Sequence, residues 1–530
     1  MNKIEYKGPI VLAVLDGVGL APSGPGNAVS QAQTEFLARA SREYLHLALN
    51  ASGEAVGLVP GQMGNSEVGH NVIGSGQIIK QGIARINEAF NTGEIFHSEV
   101  WKEVVERLDA SGTTLHFAGI FSDGGVHSHI EHLEKMITAA CIAGVSRIRL
   151  HAVFDGRDVP PQSEPKFIKW FDKLAAKFPR ADIKIADGGG RMKVTADRYE
   201  NDWQMVKRGF DMMVKGEADY YFESAEEGII KLRESNPDLQ DQDLPGFVVV
   251  TEDGYPIGKI EKGDVVIYFD FRADRAVEIS QALSEPEFPY FNRGDFNPEE
   301  IYFVGMTEYN IDKHIPKNYL VPPVEIKQTL HEFLSGAGIS QLAVSETVKF
   351  GHITYYFDGN SYEKAPGEEF IKIESYSGNF DDKPEMRSAE ITDAVINNLD
   401  KYKFVRINYP GGDMVGHTAN IEATAKAMEA VDKSLGRIAE KVDELGGVLV
   451  IIADHGNAEE LLDADGNPKT SHTLNKVPCI FYDNTLNRKK YHLADISEPG
   501  LANIAATMAV LLGFRELPTD WKLPLITVEN

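Results

Sequence analysis

The sequence predicts an α/β fold with largely parallel sheets. Short apolar, β-branched runs alternate along the chain with polar or glycine-rich loops and with helical patterns, and this alternation is typical of parallel sheets covered by helices. The predicted strands are Ile10–Leu15, Thr114–Ile120, Ile148–Phe154, Ile183–Ala186, Val265–Phe271, Ile301–Val304, Leu342–Val344, Phe404–Ile407 and Val448–Ala453.

One helix is defined by its periodicity. From Ile421 to Leu445 the apolar residues recur every three or four positions, as they do on one face of a helix. Gly446-Gly447 predicts where the helix ends, because glycine readily adopts the left-handed conformation that follows many helices. The strand Val448–Ala453 comes next, so this part of the chain is a helix-to-strand unit.

The length of the chain and its linkers predict two domains. Single hydrophobic cores rarely exceed about 250–300 residues, and this chain has 530. Gln81–Ile95 is predicted to be a helical connector, and Val321-Pro322-Pro323-Val324 is a linker stiffened by two prolines. We therefore expect one domain formed by residues 1–82 and 324–530, with a second domain, residues 83–323, inserted into it.

The charge balance excludes some classes of partner. Asp and Glu number 80 against 53 Lys and Arg, which gives a formal net charge of −27. Such a surface disfavours nucleic acid and anionic membranes, since both require local positive charge. An anionic substrate would have to be attracted by a local group of arginines or by a bound metal.

Three further features predict a cytoplasmic protein. The first apolar run, Ile10–Leu15, is shorter than the roughly 7–15 residues of a signal-peptide core. Leu501–Phe514 is shorter than the roughly 18 residues of a membrane span and is predicted to be a buried helix. Cys141 and Cys479 are far apart in the sequence, so we expect two reduced thiols.

Carboxylate and imidazole side chains follow several of the predicted strands, where ligands bind in open α/β sheets. These residues are Asp16, Asp413, His417, Asp454 and His455, with His472 in a later loop. A single aspartate in such a place is usually a turn or cap residue, but three strand ends together favour a metal site. Oxygen and imidazole ligands suit Mn²⁺ or Zn²⁺, and so many ligands favour two ions.

A serine, Ser66, stands between glycines at the start of a helical pattern in Gly61–His70. It could be the N-cap of that helix, a position that serine favours. Alternatively it could be a nucleophile whose alkoxide a metal stabilises, with the helix N-terminus favouring phosphate. This segment alone leaves both interpretations open.

Arginine recurs at strand ends within residues 83–323. The loops concerned are Ser122–His129, Asp155–Asp158, Gly188–Arg191 and Arg272–Arg275. Surface ion pairs would explain any one of these arginines, but they explain less well why all share the same structural position. Guanidinium groups match phosphate and carboxylate, so the pattern predicts a small substrate that carries both groups.

Together these segments resemble the cofactor-independent phosphoglycerate mutases of the alkaline phosphatase superfamily, nearly from end to end. The specific motifs are Met63-Gly64-Asn65-Ser66-Glu67-Val68-Gly69-His70, Ser122 to His129, Asp155-Gly156-Arg157-Asp158, Arg272-Ala273-Asp274-Arg275, Asp413-Met414-Val415-Gly416-His417-Thr418 and Ala453-Asp454-His455-Gly456-Asn457. The resemblance implies a monomer in which an alkaline-phosphatase-like domain carries the metals and the serine. The inserted α/β phosphotransferase domain would carry most of the arginines.

The resemblance also implies the reaction, which is the interconversion of 3-phosphoglycerate and 2-phosphoglycerate in glycolysis and gluconeogenesis, without added bisphosphoglycerate. One divalent ion would be held by Asp413, His417 and His472, and a second by Asp16, Ser66, Asp454 and His455. Mn²⁺ is the preferred ion, with Zn²⁺, Co²⁺ and Mg²⁺ as alternatives. The residues implied to bind substrate are His127, Arg157, Asp158, Arg191, Arg198, Arg272, Arg275 and Lys349.

In the implied mechanism Ser66 attacks the phosphorus, and the resulting phosphoserine returns its phosphoryl group to the other hydroxyl of glycerate. Asp158 would carry protons to and from the hydroxyl groups, and Lys349 would offset charge on the phosphoryl oxygens. A metal-dependent phosphatase or another phosphomutase is the alternative on the same fold, and the inserted arginines argue against it. A binding protein without chemistry would lack some of these ligands, whereas all are present.

Overall fold

The computed structural model describes residues 4–108, 112–198, 200–310, 313–324, 326–361 and 363–529. The chain divides into two compact units, the first formed by Met1–Gln81 with Val324–Asn530 and the second by Gly82–Pro323. Residues 1–3 and 530, at the ends of the first predicted domain, lie outside the described residues. The predicted fold class, α/β with a second α/β unit inserted into the first, is confirmed.

The strands are numbered in chain order. They are β1 Ile10–Leu15, β2 Leu45–Leu49, β3 Leu115–Phe121, β4 Arg147–Phe154, β5 Asp182–Gly190, β6 Tyr220–Phe222, β7 Phe247–Val249, β8 Val265–Tyr268, β9 Tyr302–Gly305, β10 Gln341–Glu346, β11 Glu368–Ile373, β12 Phe404–Tyr409, β13 Val448–Ile452, β14 Val477–Tyr482, β15 Tyr491–Leu493 and β16 Ile526–Val528.

The α-helices are numbered in the same way. They are α1 Ala28–Gln31, α2 Glu35–Glu43, α3 Ser66–Ser75, α4 Gly82–Thr92, α5 Glu94–His97, α6 Glu99–Leu108, α7 Ile130–Ile142, α8 Glu164–Ala176, α9 Trp203–Phe210, α10 Ala225–Ser235, α11 Val277–Ser284, α12 Leu330–Gly336, α13 Thr347–Gly351, α14 Ser388–Ile396, α15 Gly411–Gly416, α16 Ile421–Leu445 and α17 Ile504–Leu511.

The first unit is built on a sheet with the strand order β11-β10-β12-β1-β13-β14-β2. The strands β11, β10, β12, β1 and β13 are parallel to one another, while β14 runs antiparallel to both β13 and β2. Every residue of the central strand β1 is buried, as expected for a parallel strand covered on both faces. The carboxyl ends of four adjacent parallel strands, β10, β12, β1 and β13, therefore meet at one edge of the sheet.

The second unit has its own sheet, in the order β6-β7-β5-β4-β3-β8-β9. The strands β5, β4, β3, β8 and β9 are parallel to one another, and β7 pairs with β5 in the antiparallel direction. Its main core contains aromatic side chains such as Phe117, Phe154 and Phe171. Here too the carboxyl ends of β5, β4, β3 and β8 lie side by side.

Differences between predicted and observed strands have physical causes. The predicted strands are all present with small shifts at their ends, whereas β2, β11 and β14 of the first sheet and the short strands β6, β7, β15 and β16 were not predicted. The strands β2 and β11 lie at the edges of the sheet and are only partly buried, so their sequences lack a long apolar run. In β14, Pro478 interrupts the strand pattern.

The long helix α16 follows the predicted bounds. Its N-cap is Asn420, whose side chain accepts a hydrogen bond from the main chain of Ala423, and Gly446 ends it in the left-handed conformation with φ of 70°. The stripe that includes Met428 and Leu435 is buried. Within the described part of the chain, no helix has both the length and the apolar character needed to cross a bilayer.

A buried ion pair holds the segment that follows α13 against the sheet. Arg406 in β12 is fully buried, and its Nε donates to the main-chain oxygen of Ile353 at 2.8 Å. Its Nη2 lies 2.9 Å from Asp358 and 2.8 Å from Glu368. Even beside this guanidinium group, burial raises the pKa of Asp358 to about 7. Arg406 is therefore the cation that stabilises both buried carboxylates.

We predict that Arg406→Leu destabilises the first unit strongly. Two carboxylates would remain buried without their cation, which typically costs about 3–5 kcal/mol. The matched control is Arg437→Leu, which removes an exposed pair with Asp393 and should cost about 1 kcal/mol or less. Thermal unfolding of both variants tests this, and equal shifts in the two midpoints would contradict a structural role for Arg406.

Candidate metal centre and active site

The strand ends of the first unit bring together the aspartates predicted to bind metal. Asp16 follows β1 directly, and Asp454 lies just after β13. After β12 the chain forms the short helix α15, which carries Asp413 and is followed by His417. Asp16, Asp413 and Asp454 are each at most 3% exposed.

Two glycines allow these strand ends to approach one another. Gly17 has a left-handed φ of +72°, and a Cβ atom there would lie 2.7 Å from the Cα atom of Asp413. A Cβ atom on Gly69 in α3 would lie 2.8 Å from the Cβ atom of Asp454. Any side chain at either position would displace an aspartate, so space requires glycine at both positions, and at Gly17 the backbone conformation favours it as well.

Ser66 is the first residue of α3 and is not its N-cap. The N-cap is Asn65, whose side chain accepts a hydrogen bond from the main-chain nitrogen of Val68 at 3.0 Å. The hydroxyl of Ser66 is thereby left available for other contacts. Its Oγ donates to Asp16 Oδ1 at 3.1 Å and lies 3.0 Å from His455 Nε2, although the residue is only 5% exposed.

The predicted metal ligands form two groups. In the first, Asp413 Oδ1 lies 3.2 Å from His417 Nε2 and 3.1 Å from His472 Nε2. The two imidazole Nε2 atoms are themselves 3.2 Å apart. One carboxylate oxygen and two ring nitrogens thus converge on one point.

The second group is centred on His455 and Ser66. His455 Nε2 lies 3.5 Å from Asp16 Oδ1, 3.7 Å from Asp454 Oδ2 and 3.8 Å from Asp413 Oδ1. Asp413 therefore contacts both groups and links them. Asp454 Oδ2 is buried and has no hydrogen-bond partner among the described residues.

The orientation of the three imidazoles fits a cation in each group. In His417, His472 and His455 the Nδ1 atom faces a main-chain carbonyl oxygen, which can only accept, so Nδ1 carries the proton. These oxygens belong to Thr470 at 2.7 Å, Gly64 at 2.8 Å and Gly456 at 3.2 Å, respectively. When these imidazoles are neutral, their Nε2 lone pairs face carboxylate oxygens, and a divalent ion between them would satisfy both.

Lys349 is the cation that lies among these carboxylates. Its Nζ donates to Asp413 Oδ2 at 2.7 Å, Asp16 Oδ1 at 2.8 Å and Ser66 Oγ at 2.5 Å. Burial alone would lower the pKa of Lys349, but Asp16, Asp413 and Asp454 outweigh burial and raise it. The side chain is therefore a stable ammonium group.

The same charges act on the neighbouring groups. Burial opposes ionisation of Asp16 and Asp413, yet Lys349 and the neighbouring imidazoles together outweigh it and hold the pKa of both carboxyl groups well below the ordinary range. Burial would also lower the pKa of His455, but Asp454 and Asp16 outweigh burial and raise it to about 9. Without a metal this imidazole holds a proton at neutral pH.

Two residues that the sequence analysis did not single out support the second group. Asn408 Nδ2 donates to Asp16 Oδ2 at 2.7 Å and lies 3.1 Å from His70 Nε2. His70 Nε2 is therefore an acceptor, and its Nδ1 donates to the Ser66 main-chain oxygen at 2.8 Å. Since both ring nitrogens are used, His70 positions the ligands around it and is not a ligand itself. In the sequence, the signal for this role was the position of His70 at the end of the Ser66 motif.

A further buried group of ligand-type side chains, His331, Asp358 and Glu368, occurs within the described residues. Arg406 contacts both of its carboxylates at under 3 Å. A guanidinium already balances their charge, so this group does not favour a divalent ion.

In the second unit, the strand ends carry the predicted substrate-binding residues. His127 lies in the segment after β3, Asp158 in the turn after β4, and Arg191 directly after β5. Arg272 and Arg275 follow β8, where the turn Ala273–Arg275 is a short 3₁₀ helix.

Arg191 is the centre of this second cluster and is 2% exposed. Its Nη1 donates to Asp155 Oδ1 and Asp158 Oδ2, both at 2.5 Å, and its Nη2 donates to His127 Nε2 at 2.8 Å. Asp155 also accepts hydrogen bonds from the main-chain nitrogens of Arg157 and Asp158. Asp155 thus fixes the turn that presents Asp158.

The remaining arginines surround Asp274 or lie beside it. Arg198 and Arg272 both form ion pairs with its carboxylate. Arg275 is buried and donates to the main-chain oxygen of Ala196. Burial lowers the pKa of Arg275 to about 10, and the nearby guanidinium groups of Arg191 and Arg198 contribute to this shift.

The structure places the predicted residues in two separate sets. The first unit contains the predicted metal ligands, Ser66 and Lys349; the second contains His127, Asp158 and the arginines. Lys349, predicted to bind substrate, lies among the predicted metal ligands. Arg157 is exposed and Arg198 is partly exposed. Asp155 and Asp274 lay within the quoted motifs but were given no role.

A family model for the metalloenzyme superfamily matches residues 8–516. A probable 2,3-bisphosphoglycerate-independent phosphoglycerate mutase of Leptospira interrogans is 43% identical over 98% of both chains. The enzyme of that name from Trypanosoma brucei brucei is also 43% identical, over 98% of this chain and 97% of its own. The chain belongs to the 2,3-bisphosphoglycerate-independent phosphoglycerate mutase family. The family predicted from the motifs is confirmed.

A solved structure from the same family agrees in fold. The crystal structures of Leishmania mexicana phosphoglycerate mutase at low cobalt concentration include a chain that is 39% identical and has a TM-score of 0.71. The match covers 100% of this chain and 99% of that one. Membership of the metalloenzyme superfamily makes this chain a divalent-metal enzyme, and the aspartate and histidine groups of the first unit are candidates to hold the metal.

We predict that metal binding releases protons. His455 is protonated below about pH 9 in the metal-free protein, whereas a metal ligand must be neutral. The apparent Mn²⁺ affinity should therefore increase from about pH 7 to pH 9, by about tenfold per pH unit for each proton displaced. Titration calorimetry in buffers of different ionisation enthalpy counts these protons.

The matched control for this measurement is His492→Gln, which changes an exposed imidazole of the same unit and should behave as the wild type. A wild-type affinity that is constant over this pH range, without proton release, would exclude His455 as a ligand.

Proposed function

We propose that this protein interconverts 3-phosphoglycerate and 2-phosphoglycerate through a phosphorylated Ser66, without added bisphosphoglycerate. The observation that carries the proposal is the environment of Ser66 Oγ. The hydroxyl is buried at the start of α3, beside an ammonium group, an imidazole and a carboxylate. The names of the relatives support phosphoglycerate as the substrate.

Two divalent ions are part of the proposal, with Mn²⁺ as the preferred metal. Asp413, His417 and His472 would hold one ion, and the second would be held by Asp16, Ser66, Asp454 and His455. Bound ions would supply Lewis-acid stabilisation of the serine alkoxide and of the phosphoryl oxygens. Zn²⁺, Co²⁺ and Mg²⁺ are the alternatives, since imidazole nitrogen suits Zn²⁺ and Co²⁺ and carboxylate oxygen suits Mg²⁺.

Lys349 would support the transfer at Ser66. Its ammonium group already donates to Ser66 Oγ, so it favours the alkoxide over the neutral hydroxyl. As the bond from Ser66 Oγ to phosphorus forms and the bond from phosphorus to the substrate oxygen breaks, the same group offsets charge on the phosphoryl oxygens. In the return step the bond from Ser66 Oγ to phosphorus breaks, and a bond forms from phosphorus to the other hydroxyl oxygen of glycerate.

Asp158 would carry the proton that the two half-reactions exchange. The glycerate oxygen released in the first half-reaction takes up a proton, and the other hydroxyl group gives one up in the second. A single carboxyl group can do both if it is held in place. Arg191, which donates to Asp158 and to Asp155, supplies that support.

The arginine cluster of the second unit would retain glycerate between the two half-reactions. Arg191, Arg198, Arg272 and Arg275, with Arg157 and His127, suit a small acid that is anionic in every form. Retention distinguishes a mutase from a phosphatase, since a phosphoserine whose glycerate has departed can only be hydrolysed.

The wider setting forms part of the same proposal. The acidic composition favours a small-molecule substrate over nucleic acid or membrane partners. We propose a monomer that acts in the cytoplasm, where glycolysis and gluconeogenesis would supply and consume the two phosphoglycerates.

The test is phosphorus NMR of purified protein with Mn²⁺ and 3-phosphoglycerate alone. The wild type should form 2-phosphoglycerate and little free phosphate, and Ser66→Ala should form neither. Arg272→Ala and Arg275→Ala should lower mutase activity on the order of 100-fold, because loss of positioning has effects of this size. Their ratio of free phosphate to 2-phosphoglycerate should rise.

Arg180→Ala, a change at an exposed arginine of the second unit, is the matched control and should behave as the wild type. An unchanged ratio in both Arg272 and Arg275 variants, at a reduced total rate, would mean that these arginines aid transfer without retaining glycerate. Free phosphate as the main wild-type product would favour a phosphatase instead.

A further inference from the structure

One carboxylate, that of Asp274, lies between three cationic or ionisable side chains of the second unit. Its Oδ1 lies 3.2 Å from His127 Nδ1 and 3.4 Å from Arg272 Nε, and its Oδ2 lies 3.2 Å from Arg198 Nε. Burial would raise the pKa of Asp274, but His127, Arg272 and Arg198 outweigh it and lower the pKa. Asp274 is therefore ionised at neutral pH.

The position of Asp274 determines which nitrogen of His127 carries the proton. Arg191 Nη2 lies 2.8 Å from His127 Nε2, and a guanidinium can only donate. His127 Nε2 must then accept, so its proton is on Nδ1, the ring nitrogen that lies 3.2 Å from Asp274 Oδ1. The carboxylate thus favours the tautomer, and the ring orientation, that Arg191 requires.

This arrangement continues to the residue proposed to carry protons. Arg191 donates on its other side to Asp155 and Asp158. His127 Nε2 is also 3.7 Å from Asp158 Oδ2. A continuous chain of contacts therefore runs from Asp274 through His127 and Arg191 to Asp158, and it ends on the group that would exchange protons with glycerate.

No neighbouring carboxyl group in the described structure can take the place of Asp274. Asp270, on the same loop, is fully buried, and burial raises its pKa well above the ordinary range. Burial thus favours its neutral form, which cannot balance the charge of the arginines. The carboxylate of Asp155 already accepts hydrogen bonds from Arg191, Ser122 and the main-chain nitrogen of Arg157.

We propose that Asp274 is a positioning residue of the substrate site with two effects. It holds His127, Arg198 and Arg272 in the arrangement that transfer requires. Its negative charge also lowers the affinity of this cluster for anions, so that the product can dissociate. This inference rests on the proposed function, since it assumes that the arginines bind a phosphoglycerate.

The test is Asp274→Asn, which keeps the shape of the side chain and removes its charge. We expect kcat to fall on the order of 100-fold, because the imidazole and the arginines lose the carboxylate that positions them. Inorganic phosphate should at the same time bind about fourfold more tightly, since a unit negative charge roughly 5 Å from the anion is lost. Calorimetry with inorganic phosphate measures this affinity directly, whether or not the protein is active.

Two further variants separate charge from shape. Asp274→Glu keeps the charge, so its phosphate affinity should match the wild type, while kcat falls because the longer side chain displaces the three partners. Asp253→Asn makes the same chemical change in an exposed turn of the same unit and should alter neither quantity.

A merely structural role gives a different pattern. If Asp274→Asn lowered kcat, the phosphate affinity and the thermal midpoint together, Asp274 would support packing, and the inference would be wrong. A variant with wild-type kcat would also overturn it. Failure of the wild type to convert 3-phosphoglycerate would contradict the proposed function instead, while the phosphate titration would still decide the charge effect.

Discussion

Buried negative charge at the carboxyl edge of the first sheet is the constraint on which the rest of this structure depends. Asp16, Asp413 and Asp454 are almost completely excluded from water, and isolated buried carboxylates are strongly unfavourable. Lys349 balances one of the three charges, and the proton on His455 balances another. Divalent cations would complete the balance. The burial of carboxylates that is unfavourable for folding would therefore favour metal binding.

The surrounding structure maintains this arrangement. Gly17 and Gly69 give the aspartates room to approach, while Asn408 and His70 fix their orientation. Arg406, two positions before Asn408 in β12, holds the main chain beyond Lys349 through its bond to Ile353. The protein therefore uses buried hydrogen bonds and one buried guanidinium to keep like charges close together.

The arginine cluster at the strand ends of the second unit has the opposite electrostatic character. Its arginines are close enough to depress the pKa of Arg275, although the chain as a whole carries a charge of −27. Asp155 and Asp158 hold the guanidinium group of Arg191, and Asp274 lies between Arg198 and Arg272. Local charge, rather than net charge, is what an anionic substrate would meet, and this explains how an acidic protein can bind a phosphorylated acid.

Sequence reasoning succeeded where a pattern extends over many residues. The central strands and α16 have long apolar patterns, and the family motifs bring several functional residue types together in short segments. It failed where one residue acts alone. Asn408, Arg406 and Asp274 are single polar residues whose roles depend on partners distant in sequence, and edge strands such as β2 are too exposed to show an apolar run.

The central claim is that Ser66 accepts the phosphoryl group. The most direct measurement is rapid quenching of the Mn²⁺-loaded protein during turnover of 3-phosphoglycerate, followed by mass spectrometry of the peptide that contains α3. We predict a phosphate group on Ser66 that appears and decays at rates compatible with turnover. Phosphorylation at another residue, or active turnover in the Ser66→Ala variant, would contradict this claim.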